Sequence, residues 1–237
     1  MDTKELKLQP RLACIASLVP EGARLADVGT DHGYLPVYLL QQGKIKSAIA
    51  SDLRLEPLAH AKRSAKEYGV EEKIDFRLCS GLDAILPDEV DTVVIAGMGG
   101  ELIVKLLEAA AWTRERALTL ILQPQSKPEI LRKWLSEKGY SFTKETLVRD
   151  KGTLYAVLCV TAGKGEALSE VEAHVGVLLE KDPLYGEFLD ERITKLERAI
   201  AGMESARERD EEELTRLRSL KAAFIEKREG WNDGNGC

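Results

Sequence analysis

Up to about residue 160 the chain alternates between two hydrophobic patterns. Short apolar runs bounded by turn residues, ARLADV (23–28), SAIASD (47–52), IDFRLC (74–79), DTVVIA (91–96) and LTLILQ (118–123), read as buried strands. Between them, EPLAHAKRSAKEYG, GELIVKLLEAAAW and KPEILRKWLSEKG carry apolar residues at helical spacing, and the first and last end at a glycine suited to a C-cap. Strand–helix alternation of this kind predicts an α/β fold with a doubly wound, Rossmann-like parallel sheet. YSFTKETLVRD and GTLYAVLCV follow with only a short turn between them, so they are expected to pair as a hairpin and give the sheet an antiparallel edge. Ahead of the first strand, QPRLACIASLV predicts a short helix ended by Pro20-Glu21-Gly22.

The alternation stops at TAGKGEALSE, where two glycines flank a lysine. A domain boundary is therefore expected there, with an N-terminal domain over 1–162, a helical domain over 163–229 and a disordered tail, WNDGNGC, over 230–237. SEVEAHVGVLLEKD predicts one short helix closed by Asp182-Pro183. Ile193, Leu196, Ile200 and Met203 then recur at helical spacing, and Leu214, Leu217 and Phe224 resume it after the polar ESARERDEEE. This pattern predicts an antiparallel coiled-coil hairpin reversing near Gly202–Asp210; the alternative is one long helix with a solvated middle. Ser205 and Glu208 have capping-box spacing at the start of the second helix.

Composition narrows the classes. Hydrophobic residues make up 44% of the 237 and charged residues 31%, enough for a sizeable core. The net charge of -6 is uneven: residues 166–229 hold 17 acidic and 11 basic side chains, which leaves 23 of each sign elsewhere. Acidity is thus a property of the helical part, and it argues against RNA contact by that part's whole surface. Cys14, Cys79, Cys159 and Cys237 are far apart, with no paired-cysteine motif, so neither a disulfide framework nor a metal site is expected. No apolar run approaches a membrane span, and the first residues lack the apolar centre of a secretory signal, so a cytoplasmic protein without membrane association is expected.

The chemistry gathers at the C-terminal ends of the predicted strands, where open parallel sheets bind ligands. Gly29-Thr30-Asp31-His32-Gly33 follows the first strand and Ser51-Asp52 ends the second. Ser80-Gly81-Leu82-Asp83, Gly97-Met98-Gly99-Gly100 and Gln123-Pro124-Gln125 follow the next three. Asp52 lies about 20 residues beyond the glycine bend, where a carboxylate can accept hydrogen bonds from ribose hydroxyls, so a nucleoside is expected. The dinucleotide pattern GxGxxG is absent, and Asp31 stands where a pyrophosphate would approach the backbone. Asp27 and Asp31 instead suit a cationic ligand. S-adenosylmethionine, a nucleoside carrying a sulfonium and an amino group, matches both halves.

ADVGTDHGYLP, the acidic end of ASD, CSGLDAI and AGMGG resemble the consecutive motifs of a class I methyltransferase. With LQPQ after them, the wording resembles the bacterial tRNA adenine-N1-methyltransferases that modify position 22, along essentially the whole chain. That resemblance implies that Asp27, Gly29, His32 and Gly33 wrap the methionine part of the cofactor and that Asp52 holds its ribose. It implies further that Leu53 and Leu82 sandwich the adenine and that Gly81 and Gly97 make close backbone contacts, with Thr30, Ser80 and Ala96 in the same binding set. Methylases of exocyclic amines carry a [DN]PP[FY] motif after the fourth strand; here Ala96-Gly97-Met98-Gly99 stands in its place. A ring nitrogen with its own lone pair needs no such grip, which favours adenine N1.

On this reading Asp31 stabilises the cationic product or takes a proton from N6, and Tyr34 stacks on the incoming base. Arg11, Arg54 and Lys127 are the candidate contacts to RNA phosphates, Cys79 and Met98 are packing residues, and a monomer or weak homodimer acting on tRNA is expected. Two other classes stay open at this point: a nicotinamide-dependent oxidoreductase and a non-catalytic nucleotide-binding module that recruits partners through its helical hairpin.

Overall fold

The structure, a computed structural model, describes residues 5–206 and 208–235. It divides into two units, residues 1–167 and 168–237. The division falls five residues beyond the expected boundary because the intervening segment is tied to the first unit. Gly163 N–H donates to Gly139 O (2.8 Å) and Ser141 Oγ to Lys164 O (3.3 Å).

The first unit is a seven-stranded sheet of β1 (Ala23–Val28), β2 (Ile45–Asp52), β3 (Ile74–Leu78), β4 (Thr92–Gly99), β5 (Thr119–Ser126), β6 (Tyr140–Asp150) and β7 (Thr153–Ala162). Their spatial order is β3-β2-β1-β4-β5-β7-β6, the first five parallel. The expected hairpin forms, and it is β7 that pairs antiparallel with β5, leaving β6 at the edge. Helices α1 (Pro10–Leu18), α2 (Tyr34–Gln41) and α3 (Leu55–Glu67) pack in succession on one another, while α4 (Gly100–Ala109) and α5 (Pro128–Glu137) pack together. The central strands are buried on both faces, which is why they read as continuous apolar runs. Leu25, Val94 and Ile121 join a core with α1 and α2, and their strand neighbours Val93, Ile95, Leu120 and Leu122 point the other way.

Several elements depart from the sequence pattern. Helix α2, YLPVYLLQ, is absent from the periodic stretches because Leu35, Pro36, Val37, Leu39 and Leu40 are all buried, which erases an amphipathic signal. It ends as α3 does, in a glycine of left-handed φ: Gly43 N–H donates to Leu40 O and Lys44 N–H to Leu39 O, with the same pair of bonds at Gly69 and Val70. Strands β4 and β5 run through AGMG and QPQS rather than ending before them, with a register shift at Gly97.

In the second unit the predicted single helix over SEVEAHVGVLLEKD is corrected to α6 (Glu170–Val175) and a 3₁₀ turn at Leu179–Lys181. Gly176, at φ +92°, separates the two. The capping box sits here, between Ser169 and Glu172, and not at Ser205. Ser205 Oγ closes the end of α7 (Tyr185–Glu204) on Gly202 O, and Asp210 caps α8 (Glu211–Asn235) by accepting from Glu213 N–H at 2.9 Å. Helices α7 and α8 are therefore two helices. Ion pairs Glu204–Arg218, Glu197–Lys221 and Asp190–Arg228 run in opposite senses along them, and Ile200, Leu214 and Leu217 fill the seam. The expected disorder from Gly230 is also corrected, since α8 continues to Asn235. Trp231 donates to Glu180 O (2.8 Å) and lies against Gly186, where a side chain would come within 2.4 Å of its ring. Residues 236 and 237 of the expected tail lie outside the described residues.

Candidate active site

The bend after β1 is pinned from three sides. Gly29 and Thr30 N–H both donate to Ser51 O, at 2.8 and 3.0 Å, which ties the bend to the end of β2. Gly33 N–H donates to Thr30 O (2.9 Å), and Gly29 (φ +73°), Asp31 (φ +50°) and Gly33 (φ +66°) are all left-handed. A Cβ on Gly29 would lie 2.3 Å from Met98 Cε, and one on Gly33 would lie 2.9 Å from the Ala61 methyl. Both glycines are thus demanded by conformation, and Gly33 by space as well, since the flexible Met98 end can move aside while Ala61 cannot. α2 starts immediately afterwards, so the backbone turns sharply beneath whatever the bend holds.

Burial separates the three carboxylates here. Asp27 is 6% exposed and accepts from the Thr30 hydroxyl at 2.6 Å. Desolvation pushes its pKa from 3.8 up to about 6, against the Thr30 bond that lowers it, with the Asp52 charge adding to the rise. Asp52 is buried as well. One of its oxygens accepts from Arg54 N–H at 2.9 Å, and the other, Oδ2, has no hydrogen-bond partner among the described residues. The Asp31 side chain is 67% exposed, 3.9 Å from His32 Nε2. His32 stacks between two rings, Tyr34 at 5.2 Å and His60 at 4.9 Å between centroids, and the three form a column at the rim.

These groups open into one cavity of about 900 Å³. Of the sequence-predicted residues, Asp27, Gly29, Thr30, Asp31, His32 and Tyr34 line it from the bend. Asp52, Leu53, Arg54, Ser80, Gly81, Ala96, Gly97 and Arg11 line it from the other strand ends and from α1. Gly33 supports the bend from below without reaching the cavity surface. Leu82 is corrected: it is 2% exposed, packed into the core and not part of the lining, whereas Leu53 stands 71% exposed at the cavity's edge. Lys127 precedes α5 outside the cavity lining, with its ammonium 2.8 Å from Glu101 in an exposed ion pair.

Sequence reasoning missed one wall and the hydrogen bonds that hold the floor. Leu6, Lys7, Leu8, Gln9 and Leu12, before and within α1, close one side of the cavity, a long-range arrangement that no local motif encodes. The floor is the bulge at Gly97 (φ +80°), whose N–H donates to Gln123 Oε1 at 3.2 Å. The same oxygen accepts from Arg11 Nη1 at 2.7 Å, while Gln123 Nε2 donates to Pro124 O, so this fully buried amide is satisfied at both ends. Arg11 is further balanced by Asp150 at 3.7 Å. The LQPQ wording was the only signal for Gln123.

The donor set fits a sulfonium nucleoside. A buried carboxylate with a free oxygen closes β2, buried and exposed acids face the cavity at the bend, and the exposed Leu53 flanks Asp52. Among the described residues there is no cluster of three or more His, Cys, Asp or Glu side chains able to hold a metal ion, and no helix is long and apolar enough to cross a membrane.

Comparison with known proteins agrees with this geometry. A methyltransferase domain model matches residues 8–158. A Bacillus subtilis protein named tRNA (adenine(22)-N(1))-methyltransferase is 38% identical over 185 residues, covering 78% of this chain and 76% of its own. A Streptococcus pneumoniae structure, assigned as a tRNA (m1A22) methyltransferase and solved in complex with S-adenosyl-L-methionine, superposes with a TM-score of 0.82. It is 36% identical and covers 92% of this chain and 98% of its own. A Streptococcus agalactiae protein of the NADB-Rossmann superfamily reaches a TM-score of 0.86 at 33% identity, covering 96% of this chain and all of its own.

Proposed function

This chain belongs to the bacterial tRNA (adenine-22-N1)-methyltransferase family, and from that premise we propose that it methylates N1 of adenine 22 in tRNA with S-adenosylmethionine. The observation that carries the reading is the acidic bend at Asp27–Gly33 facing the Asp52 carboxylate across one cavity, with no amide, proline or ring in the strand β4 segment Ala96–Gly99. When bound, the cofactor supplies an electrophilic methyl group on a sulfonium.

The chain's own residues divide the remaining work. Asp52 Oδ2 is available to ribose hydroxyls, and Leu53 offers an apolar face beside it. Asp27 places negative charge under the amino and sulfonium end of the cavity, with Gly29, Thr30, His32, Gly81 and Gly97 bringing backbone close. Adenine N1 is neutral and nucleophilic at neutral pH, so no base is needed before attack, and alignment alone can supply roughly 7–11 kcal/mol of the barrier reduction. Asp31, exposed at the rim, is placed to stabilise the cationic product or to take a proton from its N6. Because N1 lies on the Watson–Crick edge, the base must be unpaired first, which costs roughly a few kcal/mol, and the Tyr34–His32 column offers it a stacking surface. Arg54, 76% exposed at the mouth, is suited to an RNA phosphate.

A tRNA substrate supports a cytoplasmic site of action. The test is incubation with unmodified tRNA and labelled cofactor, followed by digestion and mass spectrometry. The expected product is 1-methyladenosine at position 22. Labelled N6-methyladenosine would refute the ring-nitrogen assignment, and no transfer would restore the non-catalytic reading.

A further inference from the structure

We propose that Gln125 is a specificity-determining residue that reads the Hoogsteen edge of the target adenine, accepting from N6–H and donating to N7. The proposal rests on the N1-methylation reading above. Gln125 follows Pro124 near the end of β5, beside the Gly97 bulge, and it lines the cavity. Its Nε2 lies 3.7 Å, and Arg11 Nη1 3.5 Å, from the point where a side chain on Gly97 would begin. Two polar ends therefore converge over a floor that glycine keeps low. Their states differ. Arg11 is anchored on Gln123 and balanced by Asp150, whereas the Gln125 carboxamide has no hydrogen-bond partner among the described residues.

The chemistry of a free carboxamide selects the base. It offers one acceptor and one donor side by side, which pairs with adenine N6–H and N7. Guanine presents two acceptors on that edge and cytosine only a donor, so neither satisfies both amide atoms. Reading this edge also leaves N1 unobstructed, which a Watson–Crick contact would not. The amide that β4 lacks in its Ala96–Gly99 segment is thus supplied from the neighbouring strand, at a position that holds the base without activating its amine.

The test uses the full chain with tRNA carrying either adenosine or 7-deazaadenosine at the target position; the deaza base replaces the N7 acceptor with C–H. Wild-type kcat/KM is expected to fall roughly 10-fold on the deaza substrate. Gln125→Leu is expected to lower kcat/KM on ordinary tRNA by roughly 10- to 100-fold, to treat the two substrates alike, and to keep cofactor affinity within about 2-fold by calorimetry. Because the Gln125 side chain is exposed and bonds nothing among the described residues, unchanged cofactor affinity also certifies the fold. A Gln125→Leu enzyme as active as wild type, or one that keeps the wild-type deaza penalty, overturns the proposal. A wild-type protein that makes no 1-methyladenosine overturns the underlying reading with it, so the two failures are distinct.

Discussion

Asp27→Asn is expected to stabilise the ligand-free protein at neutral pH relative to acid while removing its hold on the cofactor. In the folded protein, burial holds the Asp27 proton to about pH 6, whereas the unfolded chain releases it near 3.8. Between those values the unfolded state binds fewer protons than the native state, so wild-type stability falls as pH rises through the window. Below 3.8 both states are protonated and nothing is lost; above about 6 the loss is complete. At about 1.4 kcal/mol per pH unit, the rise from 3.8 to about 6 amounts to about 3 kcal/mol. An asparagine keeps the oxygen that accepts from Thr30 and carries no titrating proton. Its own desolvation is an offset of about 1–3 kcal/mol that does not vary with pH.

The quantity to measure is therefore the difference in Tm between variant and wild type, followed from about pH 4 to about pH 7.5 without cofactor. For a chain of this size 1 kcal/mol corresponds to about 2–4 °C, so the difference should swing toward the variant by roughly 6–12 °C. The half-way point is expected near the middle of the window. A difference that stays flat with pH, or swings the other way, would show that Asp27 is not a desolvated carboxylate and would undo the electrostatic reading of the bend.

Three further outcomes follow from the same geometry. A cationic ligand against Asp27 draws its pKa back down, so cofactor affinity by calorimetry should rise as pH increases from about 5 to about 7, with proton release on binding; pH-independent affinity would contradict that contact. Asp52→Ala should weaken cofactor binding by roughly 10- to 100-fold, the loss of charge-assisted bonds to two hydroxyls, and unchanged affinity would remove its ribose role. Glu145→Gln should destabilise the first unit by about 3–5 kcal/mol in urea unfolding, because Arg132 Nε meets Glu145 at 2.7 Å with both side chains fully buried. A loss under about 1 kcal/mol would mean the pair is not desolvated.

What the sequence made legible was local. Strand runs such as VVIA and LILQ need only their composition to be read, because a parallel sheet buries both faces. The glycine bend was equally readable, since Gly29 and Gly33 are fixed by conformation within a few residues. What it hid depended on distance or on averaging. Helix α2 has no polar face and so no period. The N-terminal wall meets the cavity only after the chain has crossed the sheet, and Arg11 reaches Gln123 across 112 positions. Leu82 shows the opposite error: a motif placed it at the ligand, while packing against the core took its side chain away from the cavity.

Charge alone treats the two acids of DVGTD as equivalent, and burial gives a physical ground for the separate roles expected of them. An ionised carboxylate at 6% exposure with a raised pKa carries an electrostatic penalty in the free protein, which a cationic ligand relieves. Asp27 is therefore suited to the permanently charged part of the cofactor, whose charge does not depend on the reaction. Asp31, solvated and left-handed at the rim beside the His32–Tyr34 column, carries no such penalty and can meet a charge that appears only when the product forms. In the proposed function the bend thus pairs a buried acid suited to binding with an exposed acid suited to turnover, four residues apart and held in place by the Ser51 carbonyl that ties the turn to β2.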